Sequence, residues 1–571
     1  MEEITMDLKN LVLNRPFQTR NADEFQDENI LDLFVDPTSG VAGPFDYCNE
    51  IVKGKMGTGK TMYLRANYIY YLSILVPQMI ERNDLVLPLY VKLSDFQNLA
   101  NDEKIYNEIL IRLIKEIVST CEKLQSANEL VKLHEGMKNN IFGMWFNGVS
   151  QRPIFDRLNK LTAEEYTQQV KTELSTEGTV GNGFMQACGA FERTNFLELK
   201  SKATPQISDF VAAYDLLLRP INCKVLILFD EVGSISKCFF EERGSASYFE
   251  TLMNQLRTLD FVRTKIAIYP HTFADILTET RYGDVIVLED DIYSTVGYES
   301  FLHKTVSIIE KYLTSTAEEP VALESAFDVS QDNMQILEQI IYAADGNMRR
   351  LVQLLDSTFN ECFKRCEASE RVSLADANAA IIGQALQMES LYYGTDLDFL
   401  HTLTNVCKKR TAYRFQFPYK SPMLLKYTNK SSEYNILKIK ELGAGRRGTT
   451  YWFDYSYCVY ADIPTHHQFN SSRIAKTRSK EEGEWITTIS RITDELILQA
   501  NLPGKRDGVI NYLNAERTAG FISDGEHDDF FFTADFVIQS GRNETLTNGR
   551  KVSFVPVTMD KTKMAREIEL L

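Results

Sequence analysis

Residues Gly54 to Thr61 read GKMGTGKT and satisfy G-x-x-x-x-G-K-[ST] at every fixed position; no other feature of the 571-residue chain restricts its fold so tightly. The motif needs a strand before it and a helix after it. Asn49–Lys53 (NEIVK) is strand-like. TMYLRANYIYYLSIL, which follows the motif, has neither Gly nor Pro, so a helix is expected to run until Pro77 ends it. Gly54, Gly57 and Gly59 let the backbone curl so that successive N–H groups face inward at the positive end of that helix. Phosphate is the natural occupant of such a nest. Lys60 is placed to reach β- and γ-phosphates as a point charge, the Thr61 hydroxyl to take one position on Mg²⁺, and Thr58 and Met62 to complete the cradle.

A triphosphate site needs a second half that holds the metal and activates water. CKVLILFDE (Cys223–Glu231) has five consecutive apolar residues, Val225 to Phe229, as a buried parallel strand does, and ends in two carboxylates. Asp230 is expected to bind the metal through water and Glu231 to polarise the attacking water as general base. From Lys60 to Asp230 is 170 positions, whereas two strand–helix units need about 60. One strand, Leu85–Leu93, is clear in between. The surplus is expected at about 125–215 and has no assignable chemistry. Phe261–Phe273 reads as a further buried strand ending at His271 and Thr272, where Thr272 is placed either to sense a γ-phosphate or merely to cap the next helix. Arg281 precedes another strand, Val285–Leu288. It suits a finger reaching a neighbouring subunit's nucleotide, and equally a surface arginine. From 331 to 388 the pattern is helical, with Arg349 at a helix start able to swing onto the phosphates, Arg350 as the neighbouring candidate, and Ser373 as an N-cap.

Composition agrees with several folded domains: 44% of residues are hydrophobic and 25% charged. The longest uncharged, largely apolar run, Tyr68–Val76, is far short of the roughly 20 residues a bilayer needs. The start, MEEITMDLKN, has no secretory pattern, and a cytoplasmic location is expected. Nine scattered cysteines without a CxxC pair suit reduced thiols; Cys362 and Cys366 are spaced to share a metal, although buried thiols are the simpler reading. The net charge of -17 is unevenly spread. Residues 401–500 hold 16 Lys+Arg against 9 Asp+Glu, whereas 1–400 hold 37 against 59. One part is thus suited to a polyanion, or is simply a solvated basic face.

In order, GKMGTGKT, LILFDE, KIAIYPHT, TRYGD and ADGNMRR resemble the Walker A, Walker B, sensor 1, arginine finger and sensor 2 of AAA+ ATPases, and more narrowly of bacterial relatives of the origin-recognition initiators, over roughly residues 30–395. The resemblance implies an α/β P-loop NTPase with a five-stranded parallel sheet flanked by helices, a helical lid, ATP and Mg²⁺ as cofactors, and homo-oligomers that share nucleotide between subunits. It also implies a winged helix that grips double-stranded DNA. Relatives often sit beside nucleases or other effectors in mobile-element and phage-defence settings, so a partner effector is permitted.

The domain scheme is then an N-terminal segment (1–44), the nucleotide-binding core (45–315), the lid (316–395), a basic winged-helix region (396–500) and an all-β tail (505–571). In the basic region KYTNKSSEYNILKIKEL is expected to contain a helix. LGAGRRGTTYWFDYSYCVYADI is expected to form a hairpin with Arg446 and Arg447 at its tip and a Tyr-rich strand behind it. Arg473, Lys476 and Arg478 form a further basic cluster. The tail resembles a cold-shock domain, an OB-fold barrel that stacks single-stranded bases on aromatics. Tyr512, Phe521 and Phe531 match stacking positions, while Ala519 and Thr533 stand where that family usually has an aromatic and a histidine. Single-stranded nucleic acid or a protein is its expected partner. The leading expectation is an ATP-dependent DNA-binding ATPase; the alternative is an ATP-gated switch controlling an effector such as a nuclease.

Overall fold

The computed structural model describes residues 8–38, 43–81, 85–99, 101–133, 206–219, 222–235, 239–240, 247–269, 283–317, 320–330, 333–409, 412–417, 424–428, 434–442, 448–463, 465, 490–491, 505–514, 517–525, 529–534, 537, 546–559 and 562–571. The chain divides into two compact units, Met1–Leu337 with Ala344–Ser373, and Glu338–Ala343 with Leu374–Leu571. This division runs through the 316–395 segment expected as one lid: the Met348–Cys366 helix falls in the first unit and the Leu374–Glu389 helix in the second.

In the first unit, β1 (Glu50–Lys53), β2 (Val86–Lys92), β3 (Lys224–Asp230), β4 (Val262–Ile268) and β5 (Asp284–Val287) form one parallel sheet in the order β2-β3-β4-β1-β5. A parallel sheet of this kind, flanked by helices, fits the α/β P-loop fold. Strand burial follows position. β3 and β4, inside the sheet, are buried along nearly their whole length, as strands covered on both faces must be; β5 at the edge is mostly exposed. β2 forms the other edge, where Pro88 is tolerated because an edge strand has one side without a ladder to complete. The core joins these strands to Leu64, Ile69 and Leu72 of the Lys60–Glu81 helix and to Ile109, Leu113 and Ile117 of the Asp102–Leu133 helix. Each such side chain contributes about 1.5–3 kcal/mol by burial. The Lys60–Glu81 helix passes Pro77, where a stop was expected: proline withholds a single backbone donor, and the buried face of the preceding turns keeps the long helix in place. Residues 134–205, which hold most of the expected surplus, lie outside the described residues.

At the end of β1 remote from the glycine-rich loop, Glu50 stands opposite Lys265, in the middle of β4. Their side chains are nearly inaccessible and pair at 2.9 Å; Glu50 Oε2 also accepts from the Tyr63 hydroxyl at 2.8 Å, and Lys265 Nζ donates to the Pro44 carbonyl at 2.9 Å.

In the second unit, β6 (Arg414–Phe417), β7 (Leu437–Glu441), β8 (Thr449–Phe453) and β9 (Ser490–Arg491) form a sheet in the order β7-β8-β6-β9. Two expectations are corrected here. LKIKE is a strand, not part of a helix, because it alternates and pairs antiparallel with TTYWF. YSYCVYA is a helix, Tyr455–Ala461, rather than a strand: the Asp454 carboxylate accepts from Ser456 N at 2.9 Å and Asp462 closes the last turn in left-handed backbone. β7 and β8 do form a hairpin, whose connection with Arg446 and Arg447 lies outside the described residues, as do Arg473, Lys476 and Arg478.

β10 (Arg506–Leu513), β11 (Ala519–Ser523), β12 (Asp529–Thr533), β13 (Lys551–Met559) and β14 (Thr562–Leu570) close a barrel in the order β10-β11-β12-β14-β13. It has one parallel junction, β12 with β14, and is compatible with an OB-like fold. Among the described residues no helix is long and apolar enough to cross a membrane.

Removing one member of the buried pair strands the other. Lys265→Ala is expected to destabilise the first unit by about 3–5 kcal/mol in urea unfolding, and Glu50→Leu with Lys265→Met to recover most of that loss; an unchanged midpoint for the single variant would contradict the assigned role.

Candidate functional site

The C-terminal ends of β1, β3 and β4 bring distant sequence together, as parallel sheets do. Gly54 N donates to the carbonyl of Ile268 at the end of β4 (3.2 Å), which anchors the start of the glycine-rich loop to its neighbour strand. Gly57 and Gly59 have φ of +81° and +93°, the left-handed backbone a non-glycine residue resists. At Gly54 the limit is space, since an added Cβ would collide with the Thr58 hydroxyl. That hydroxyl instead donates to Lys55 O at 2.9 Å and closes the loop on itself.

Lys60 and Asp230 lie in one cleft of about 340 Å³. Lys60 is 8% exposed. Its Nζ donates to the carbonyls of Gly54 and Lys55, each at 2.6 Å, and rests 4.1 Å from the centre of the Tyr269 ring. Burial pulls this ammonium down to about 8, against the opposing influence of the Asp230 and Glu289 carboxylates. Asp230 is 2% exposed, and burial raises its pKa. Three donors partly offset that rise: the Tyr90 hydroxyl at 2.5 Å, the Glu231 N–H at 2.8 Å, and the Thr61 hydroxyl. A hydroxyl and a buried carboxylate side by side are hard oxygen donors, and they fit Mg²⁺, which takes one or two protein ligands beside phosphate and water.

Glu231 also lines the cleft, with φ 54° and ψ 37°. A glutamate in left-handed backbone is strained by about 1–3 kcal/mol, and such strain collects at functional sites. Arg349, at the start of the Met348–Cys366 helix, lines the cleft too, while Arg350 is 1% exposed and points into the core. Thus Gly57, Thr58, Gly59, Lys60, Thr61, Met62, Asp230, Glu231 and Arg349 surround one space. Thr272, His271 and Arg281 lie outside the described residues.

Sequence reading overlooks several contributors. Tyr269, directly after β4, supplies the ring beneath Lys60, and Gly233 leaves room for it, since an added Cβ would come within 2.6 Å. Glu289 accepts from Lys55 N at 2.9 Å. Residues 1–44, read without a role, supply apolar lining: Phe25, Leu33, Phe34, Val35 and Pro37 border the cleft together with Ile308 and Tyr312, and the rings of Phe25 and Tyr312 meet edge-on at 5.9 Å. Ion pairs of Arg15 and Arg20 with the buried Asp356, both at 3.0 Å, tie this segment to the Met348–Cys366 helix. The lining combines charged with apolar side chains, the two kinds of contact a nucleotide requires.

Residues 15–138 match the family model described as ORC-CDC6-like. The match takes in the glycine-rich loop and β2 and supports an ORC/CDC6-like AAA+ relationship for that part; it ends before β3, so Asp230 and Glu231 rest on geometry. No curated protein matches the chain.

On the barrel, Tyr512 stands opposite Phe521 and Phe521 opposite Phe531. Ring centres are 6.3 Å and 5.6 Å apart, and Tyr512 is 55% exposed. The structure therefore brings the three expected stacking residues together. Cys362 and Cys366 have sulfurs 4.0 Å apart, and no group of three or more His, Cys, Asp or Glu suited to a metal occurs among the described residues.

Because free Lys60 loses its proton near pH 8, nucleotide affinity is expected to fall as pH rises through that value, by about tenfold between pH 7 and pH 9. Titrating ADP at several pH values checks this; a flat profile would remove Lys60 from the phosphate site.

Proposed function

We propose that the chain is an ATPase of the AAA+ type that works on DNA and assembles into homo-oligomers in its ATP-bound state. The observation that carries this reading is the convergence of Lys60, Thr61, Asp230, Glu231 and Arg349 on one cleft that apolar side chains also line. Lys60 and Arg349 would bind the outer phosphates and offset charge as the terminal bond breaks. Magnesium, held by Thr61 directly and by Asp230 through water, would neutralise the β- and γ-phosphate oxygens. The Glu231 carboxylate would take the proton of the water that attacks the γ-phosphorus, leaving ADP and phosphate. Thr272 would sense the γ-phosphate, and Arg281 would complete the site of a neighbouring subunit as a finger.

DNA would be met by residues 396–500: the β7–β8 hairpin with Arg446 and Arg447 as a wing, and the basic cluster Arg473, Lys476 and Arg478, all acting mainly on phosphates. The barrel would stack single-stranded bases on Tyr512, Phe521 and Phe531 in the manner of a cold-shock domain. A second reading, an ATP-gated switch that controls a partner effector such as a nuclease in a defence or mobile-element setting, is favoured by one observation: residues 1–400 carry 59 acidic against 37 basic side chains, a balance that disfavours contact with a polyanion.

Lys60→Ala is expected to lose nucleotide binding, whereas Glu231→Gln binds ATP and cleaves it at least about 100-fold more slowly. Equal turnover in both variants and the parent would refute the roles. DNA affinity measured at low salt with and without ATP separates the two readings, since no binding in either state leaves only the switch. Phe521→Ala is expected to weaken binding of a labelled single-stranded oligonucleotide by about 1–3 kcal/mol. An unchanged affinity would assign the barrel to protein contact.

A further inference from the structure

Two carbonyls of the glycine-rich loop are held by one short stretch of chain. Met56 O accepts from Asn347 Nδ2 at 3.0 Å, and Gly57 O accepts from Arg349 N at 3.2 Å. Asn347 Oδ1 meanwhile accepts from Arg350 N at 3.0 Å and so caps the Met348–Cys366 helix. A single carboxamide thus faces two ways, its oxygen starting the helix and its nitrogen gripping the loop. Contact is close: Asn347 is 9% exposed, and a Cβ added at Gly57 would collide with its side chain.

In a trans peptide the C=O and the following N–H lie in one plane and point in opposite directions. Fixing the Met56 carbonyl on Asn347 therefore directs the Gly57 N–H away from Asn347. The bond from Arg349 N to Gly57 O does the same for the Thr58 N–H. Both amides belong to the glycine-rich loop whose N–H groups would cradle phosphate. We infer that Asn347 is a positioning residue for the phosphate nest, presetting the Gly57 and Thr58 amides for the β-phosphate of a nucleoside di- or triphosphate; this rests on the nucleotide reading proposed above. Asn347 need not touch the nucleotide. Its effect is to remove peptide rotations that binding would otherwise have to freeze. The link is reciprocal, so a phosphate that fixes these peptide planes also steadies the helix start and the Arg349 side chain that extends from it.

Capping and gripping are separable by substitution. Asn347→Ser keeps a short neutral oxygen suited to an N-cap but cannot carry a donor to Met56 O, whereas Asn347→Ala loses both. The full chain of each variant is titrated with ADP and with AMP, and the nucleotide-free proteins are melted. Asn347→Ser is expected to melt with the parent, to bind ADP about 3- to 10-fold more weakly, and to show a reduced ratio of ADP to AMP affinity. Asn347→Ala shows the same reduced ratio together with a lower melting midpoint. An ADP to AMP ratio equal to the parent's in both variants overturns the inference and leaves Asn347 as a cap alone. A parent protein that binds no ADP sinks instead the nucleotide reading on which the inference stands.

Discussion

Charge kept out of water is the constraint on which the cleft depends. An ammonium and a carboxylate, Lys60 and Asp230, are both almost inaccessible, and each is costly to bury without compensation. Each therefore carries its own escort: two carbonyls and a tyrosine ring for Lys60, three donors for Asp230. These escorts come from β2, β3, β4, the glycine-rich loop and the helix after it. The sheet order therefore matters to the chemistry, because it brings the ends of β1 and β3 to either side of β4. A polyanionic ligand with a divalent cation is the natural completion of such an arrangement.

How much of this is readable beforehand depends on whether the physical requirement is local. GKMGTGKT is legible because a curled backbone needs glycine at fixed offsets, and LILFDE because a strand buried on both faces must be apolar until it reaches the site. Tyr90, Tyr269, Glu289 and Asn347 are silent in sequence, since their roles exist only once strands and helix ends are adjacent. The apolar lining from Phe25 to Pro37 is silent for the same reason. In the second unit the ambiguity is one of period. LKIKE alternates too briefly to be told from a helix turn, and YSYCVYA alternates like a strand, yet its fate is set by a buried Asp454 at one end and a left-handed Asp462 at the other.

The aromatic face of the barrel shows how a register decides a surface. A bulge between Ile510 and Tyr512 shifts β10 by one residue against β11, so that Ile510 faces the core while Tyr512 comes opposite Phe521. Without it, strict alternation would place Tyr512 on the inner side with Ile510. Tyr512 thus owes its place beside Phe521 to a backbone irregularity that no residue type announces, whereas Phe521 and Phe531 meet in a regular ladder.

Pro88 has a consequence for how copies of this chain can meet. An uninterrupted outer strand invites another chain to extend the sheet by hydrogen bonding, a route to uncontrolled polymers. In β2 a ring nitrogen with no hydrogen breaks that invitation midway along the margin, and the barrel, being closed, presents no margin at all. Another copy of the chain meeting this one along β2 would have to do so through side chains, in a contact that can be undone.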